Sequence, residues 1–158
     1  MATEIERKFL VTGPGWRAVG ARGVPFRQGY LSTTADRVVR VRIEGDCAVL
    51  TIKGRTTGIT RVEFEYPIPL ADATTMIGTL CERPIVEKTR YRVLVNGVTW
   101  EIDEFHGDND GLVVAEVELA SADQPVTTPP WIGREVSNDP RYFNANLVSH
   151  PYREWRDR

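Results

Sequence analysis

Residues 86–105 read Val86-Glu87-Lys88-Thr89-Arg90-Tyr91-Arg92-Val93-Leu94-Val95-Asn96-Gly97-Val98-Thr99-Trp100-Glu101-Ile102-Asp103-Glu104-Phe105. An Asn-Gly dipeptide favours a type I′ turn because both central residues need positive φ, and that turn matches the twist of antiparallel strands. The stretch therefore predicts a β-hairpin of strands 86–95 and 98–105. Within it Lys88 and Arg90 share one parity, so a strand projects both from one face, about 6.5–7 Å apart. Trp100 has the opposite parity to Glu101 and Asp103 and should point to the other face.

The same pattern recurs on both sides of this hairpin. Glu4, Glu6 and Lys8 share one parity and Ile5 and Phe9 the other, which predicts a strand over 3–11. Arg40 and Arg42 alternate with Val39, Val41 and Ile43, and Gly45-Asp46 links that run to Val49–Lys53 as a second hairpin. In Arg61–Tyr66 apolar and charged residues alternate strictly until Pro67 and Pro69 end the strand. Glu116 and Glu118 alternate with Ala115, Val117 and Leu119. Pro25–Leu31 reads as a further strand closed by a turn at 32–35, after a loop rich in Gly and Pro at 13–15. Leu70, Ala73, Ile77 and Leu80 recur at helical spacing and predict a helix over 70–80 that crosses between halves of the sheet. Trp131–Leu147 reads as short helical pieces, and the segment from 151 to 158 as a tail on a single domain of residues 1–150.

Eight strands with few helices predict a mainly β fold, an antiparallel sheet closed into an eight-stranded barrel, because closure removes exposed edges. A chain of 158 residues can bury a core without disulfides or structural metals. The net charge of −2, from 20 Lys plus Arg against 22 Asp plus Glu, argues against a nucleic-acid surface. Cys47 and Cys81 have no CxxC or zinc-type neighbour and read as buried thiols. No window reaches membrane-spanning length and no signal-type leader precedes the charged N-terminus, so a cytoplasmic protein is expected. Neither of the 2 histidines falls in a triad or zinc pattern.

The charged doublets carry the chemistry. Glu4/Glu6, Glu63/Glu65 and Glu116/Glu118 are acidic, Arg40/Arg42 and Lys88/Arg90 are basic, and Lys8, Lys53 and Asp103 accompany them. Two carboxylates at that spacing repel by roughly 2 kcal/mol at an effective dielectric near 20. The plainer account is a set of solvated strand faces held by cross-strand ion pairs worth about 0–1 kcal/mol each. A solvated face has no need to sort acids and bases into like-signed pairs, however, and a lumen does. Carboxylate oxygens suit Mg²⁺ or Mn²⁺, and Arg and Lys suit phosphate oxygens, so the set fits a metal-bound polyphosphate.

Glu4-Ile5-Glu6-Arg7-Lys8 resembles the ExExK signature of the CYTH superfamily, the triphosphate tunnel metalloenzymes. Arg40-Val41-Arg42, Thr51-Ile52-Lys53, Glu63-Phe64-Glu65, Glu87–Tyr91, Asp103 and Glu116-Val117-Glu118 follow in the family's order. The segments Trp131–Val136 and Asp139–Asn144 are similar to the C-terminal part of small bacterial members, mostly inorganic triphosphatases. The resemblance implies an eight-stranded tunnel with Lys8, Arg40, Arg42, Lys53, Lys88 and Arg90 on the substrate's phosphates. It implies Glu4, Glu6, Glu63, Glu65, Asp103, Glu116 and Glu118 on metal and water, with Mg²⁺ or Mn²⁺ as cofactor. Glu4, Glu6, Lys53, Lys88, Glu116 and Glu118 are the expected catalytic set, for hydrolysis of tripolyphosphate to pyrophosphate and phosphate. The family also includes class IV adenylyl cyclases and thiamine triphosphatases, which need a platform for the organic group. Trp16, Tyr30 and Trp100 are candidates for one, and packing is the plainer role of each. A non-catalytic polyphosphate-binding module is a further alternative, and it would not need the acids. The expected partner is a small triphosphate, with no nucleic acid or membrane, and a homodimer is compatible with the sequence.

Overall fold

The computed structural model describes residues 3–156. Its strands are β1 (Thr3–Val11), β2 (Val24–Thr34), β3 (Arg37–Glu44), β4 (Cys47–Lys53), β5 (Thr60–Pro67), β6 (Val86–Val95), β7 (Val98–Phe105), β8 (Val113–Glu118) and β9 (Ile132–Glu135). Two α-helices, α1 (Leu70–Thr79) and α2 (Asn146–Ser149), accompany them. Strands pair antiparallel in the order β5-β4-β3-β2-β6-β7-β8-β1. β1 then returns to β5 through Thr3↔Val62, Glu4↔Arg61 and Ile5↔Thr60, which closes an eight-stranded barrel. The β6–β7 turn has Asn96 at φ 50° and Gly97 at φ 77°, the two positive values that a type I′ turn requires.

The alternation that predicted strands also turns the barrel inside out. Residues of charged parity face the lumen, and the apolar parity faces outward under covering segments. Trp100, Ile102, Ala115 and Val117 pack on Phe9 and Trp16, partly beneath Trp131 and Ile132. Helix α1 carries the chain from β5 to β6 across the outside, where Ala73 and Ile77 cover Val41, Ile43 and Ala48. A third cluster fills one end of the barrel: Tyr30, Val38, Val86 and Val114 meet Tyr142, Leu147 and Trp155. Ile52, Phe64 and Tyr66 remain exposed on the outer face of β4 and β5. Among the described residues no helix is long and apolar enough to cross a membrane.

Several local expectations are corrected. Residues 132–135 form β9 rather than a helical piece, because β5 covers only the first residues of β1 and leaves Phe9 and Val11 an open edge that pairs with Glu135 and Ile132. The Arg7 guanidinium clamps this addition by donating to both oxygens of Glu135, at 3.0 and 2.7 Å. β2 runs on to Thr34, placing its turn at 35–36 rather than 32–35. The C-terminal segment is no tail through residue 156: Trp155 is buried, edge-on to Tyr142 and Tyr152. Cys81 is buried as expected, but Cys47 lies exposed at the β3–β4 turn.

Gly29 shows how tightly β2 is covered. A Cβ there would lie 2.7 Å from both Cβ and Sγ of Cys81, closer than carbon atoms pack. Gly29→Ala should therefore cost about 1–3 kcal/mol through overpacking, read as a lower urea midpoint with an unchanged slope. An unchanged midpoint would mean that the segment around Cys81 yields freely.

Candidate active site

Strand parity brings the charged doublets into one cavity of about 630 Å³. Glu4, Glu6 and Lys8 of β1, Arg40 and Arg42 of β3, and Lys53 of β4 line it. Glu63 and Glu65 of β5, Lys88 and Arg90 of β6, and Glu116 and Glu118 of β8 complete the set expected from sequence. Asp103 is the exception, because it lies behind the lining. Its side chain is 0% exposed, and its oxygens accept from Arg90 Nε at 2.7 Å, Arg90 Nη2 at 2.8 Å and Lys88 Nζ at 2.7 Å. Burial pushes its carboxyl up, but Arg90 and Lys88 outweigh that and hold it down at about 2.

The basic groups are anchored to different degrees. Arg90 is compensated by Asp103 and by Glu101 at 3.3 Å. Lys8 donates to the Tyr142 carbonyl at 2.9 Å and faces Glu116 at 3.4 Å. Burial, reinforced by Arg90 and Arg42, pushes the Lys88 ammonium down to about 7 against the opposing pull of Asp103. Burial with Arg40 and Arg90 nearby pushes Arg42 down to about 10. Arg40 donates to Thr51 Oγ1 at 3.1 Å, while its buried Nε has no hydrogen-bond partner among the described residues. An orphaned cationic donor in a cavity wall is a costly feature that a bound anion would remove.

The acidic wall carries matching strain. Burial and the nearby Glu116 and Glu4 raise Glu6 well above the usual carboxylate range. Burial, with Glu4 and Glu65 adding to it, raises Glu63 to about 7, and Glu118 is raised by burial and by Glu4. Glu116 moves the other way despite its burial, held well down by Lys8 and Arg90. Lys53 Nζ bridges Glu4 and Glu63, each at 3.2 Å. Among the described residues no three carboxylate, imidazole or thiol groups converge closely enough to hold an ion as they stand. The donor set nonetheless fits a hard divalent cation, since oxygen ligands supply the wall and a cation would relieve the mutual repulsion of Glu4, Glu6, Glu63 and Glu118.

Neutral residues complete the site, and the charge pattern does not reveal them. Phe26, Gln28 and Tyr30 share the inward parity of β2 and are buried. Phe143 and Asn144, from the segment between β9 and α2, also reach the cavity. Of the aromatic candidates only Tyr30 lines it; Trp16 stacks on Tyr91, and Trp100 is buried edge-on to Phe9 outside the lumen.

A closed antiparallel barrel whose lumen carries segregated basic and acidic walls defines a charged-tunnel protein. The chain belongs to the CYTH domain family, whose model matches residues 2–152. It is 48% identical over 157 residues to the inorganic triphosphatase of Acetivibrio thermocellus, spanning 99% of this chain and 100% of that one. It is 41% identical over 151 residues to the inorganic triphosphatase of Nitrosomonas europaea, spanning 92% and 97%. A crystal structure of an inorganic triphosphatase shares 37% identity with a TM-score of 0.63, covering 91% of this chain and 96% of that one.

Asp103→Asn would keep the shape of the buried carboxylate and remove its charge. Lys88 would lose its carboxylate partner and Arg90 its bidentate one, so the variant should lose about 3–5 kcal/mol in urea denaturation of the metal-free protein. A loss below about 1 kcal/mol would mean that lumen water already shields both cations.

Proposed function

We propose that this chain hydrolyses inorganic tripolyphosphate to pyrophosphate and phosphate with Mg²⁺ or Mn²⁺. The observation that carries this reading is the pairing, within one cavity, of a basic wall with an unmet Arg40 donor and an acidic wall strained by its own like charges. A polyanion alone relieves only the first. The inorganic triphosphatases of A. thermocellus and N. europaea, similar along nearly their whole length, support the same substrate.

Arg40, Arg42, Lys8 and Arg90 face the phosphate oxygens, Arg40 and Arg42 with guanidinium groups that no buried carboxylate takes up, Lys8 as a point charge, and Arg90 as a charge held in place by Asp103. Lys53 or Lys88, both of which line the cavity, stabilises the departing pyrophosphate. Glu4, Glu6 and one or both of Glu116 and Glu118 would hold a divalent ion, with Glu63 and Glu65 available to a second. When bound, such an ion neutralises charge on the transferring phosphate. A carboxylate of this wall orients the attacking water. Asp103 serves the basic wall, fixing Arg90 and Lys88, rather than the ion.

An adenylyl cyclase or an organic triphosphatase would need a platform for the base or the thiazole. The aromatic groups at the cavity are Tyr30 and Phe143, beside Arg40 and Lys8 rather than on a free apolar wall. A binding module without catalysis gives the acidic wall no role.

Phosphate release should follow for tripolyphosphate with Mg²⁺ or Mn²⁺ and should stop with chelator, while ATP and thiamine triphosphate react more slowly. Efficient formation of cyclic AMP with tripolyphosphate left intact would replace this reading by the cyclase. The walls should also separate kinetically. Arg40→Ala removes charge-assisted hydrogen bonds worth about 1.5–3 kcal/mol and should raise KM by about 10–100-fold. Glu116→Gln should instead lower kcat by about tenfold or more and raise the metal requirement. Titrating metal and substrate independently checks this, and the same defect in both variants would deny the two walls separate roles.

A further inference from the structure

The side chains that β2 turns into the barrel are uncharged, yet they lie between two cationic strands. Phe26 pairs with Lys88 of β6, and Gln28 and Tyr30 pair with Arg42 and Arg40 of β3. Gln28 is 0% exposed. Its Oε1 accepts from Arg42 Nε at 3.0 Å, and its Nε2 donates to the Tyr30 hydroxyl at 2.8 Å and to Asn144 Oδ1 at 3.1 Å. Asn144 Oδ1 accepts in turn from Lys88 Nζ at 2.8 Å.

This network can run in only one direction. Arg42 and Lys88 have donors and no acceptor, so each demands an oxygen. Lys88 fixes the Asn144 oxygen toward itself, Arg42 fixes the Gln28 oxygen toward itself, and the Gln28 amide nitrogen then faces the remaining acceptors. Neither amide can flip without placing an N–H against a cation. Below the same cations lies the Phe26 ring, 4.9 Å from the Arg42 and Arg90 guanidinium carbons and 5.9 Å from Lys88 Nζ. An aromatic face attracts cations without cancelling their charge.

We propose that Gln28 is a positioning residue that seats Arg42 on an uncharged acceptor, so that this guanidinium meets the polyphosphate with its charge uncompensated. The contrast is with Arg90, whose Nε and Nη2 are taken by the Asp103 carboxylate. Arg90 and Asp103 form a fixed structural pair. The carboxylate that Arg42 does meet, Glu44 at 3.3 Å through Nη1, is 28% exposed, where water screens it. The buried contact that sets the direction of the guanidinium is the neutral one. This inference rests on the triphosphatase reading and names how that site keeps one cation available to its substrate.

Replacing the acceptor by a carboxylate of the same length, and separately by an apolar group, isolates this role. Tripolyphosphate binding is measured by calorimetry on metal-free protein, alongside melting temperature and steady-state kinetics with Mg²⁺. In Gln28→Glu the protein neutralises Arg42 itself: tripolyphosphate should bind about tenfold more weakly and KM should rise by a similar factor. Its kcat should stay within about threefold, and the apo protein should melt above Gln28→Leu, since the buried pair with Arg42 offsets the N–H that Asn144 Oδ1 loses. In Gln28→Leu the Arg42 Nε, the Tyr30 hydroxyl and Asn144 lose their partner, so binding weakens and the apo protein melts lower. The same loss of binding with a clearly smaller loss of melting in Gln28→Glu supports the inference, since a packing role would make the two losses rise together. It is overturned if Gln28→Glu binds within about twofold of wild type, or melts as far below wild type as Gln28→Leu. Wild type that neither binds nor hydrolyses tripolyphosphate would remove the triphosphatase reading and this inference together. Wild type that does both beside an unchanged Gln28→Glu would remove this inference alone.

Discussion

Asp103 is a carboxylate with no exposure, and Arg90 and Lys88 close on it from the adjoining strand at 2.7–2.8 Å. The rest of the barrel depends on that contact, because an interior lined with charge can be closed only if some of the charge is met from within. Where the compensation is complete, as at Arg90, the wall is rigid. Where it is partial, as at Arg40 with its unpartnered Nε, the wall is ready for a ligand. The protein thus spends buried ion pairs on shape and leaves selected cations for chemistry. Such pairs are weak contributors to stability and severe losses when halved.

The apolar residues carry the complementary burden. With the lumen given over to charge, Trp100, Ile102, Val117 and their partners form the core on the barrel's outer surface, beneath α1 and the segments at 14–19 and 131–136. The single helical crossover and the long C-terminal segment are what make an inverted barrel possible. They supply the second layer that an outward apolar face requires.

The sequence made the strands and the sorting of charge legible because a period of two is unambiguous once like charges repeat at that spacing. Lys88/Arg90 and Glu116/Glu118 could hardly be read otherwise. It did not separate Asp103 from the lining acids, since parity gives the face of a strand and not the depth or the neighbour. Gln28 and Phe26 carried no charge to draw notice, although their parity within Pro25–Leu31, with Gln28 opposite Arg42 and Phe26 opposite Lys88, is a signal that pairing the strands would have exposed. β9 was hidden for another reason: Ile132–Glu135 has few residues and no alternation, and its pairing comes from an edge that β1 leaves open. Trp155 likewise read as tail because a single aromatic in a charged run has no periodicity, and only its cavity beside Tyr142 gives it a place.

The closure of β1 has a consequence for how the chain reaches this state. β1 precedes every strand it pairs with, and Glu4↔Arg61, Glu6↔Glu118 and Phe9↔Glu135 span progressively more of the chain. A ribosome delivers these partners in order, so the earliest strand made is the last to have both edges satisfied. Until β8 and β9 emerge, most of β1 exposes backbone donors and acceptors, together with Lys8, which still lacks its counter-charge Glu116. Pairings of such sequence separation form slowly, because chain entropy is lost before contacts repay it. The charges that later serve the lumen also help in this interval, since a charged open edge resists joining another nascent chain.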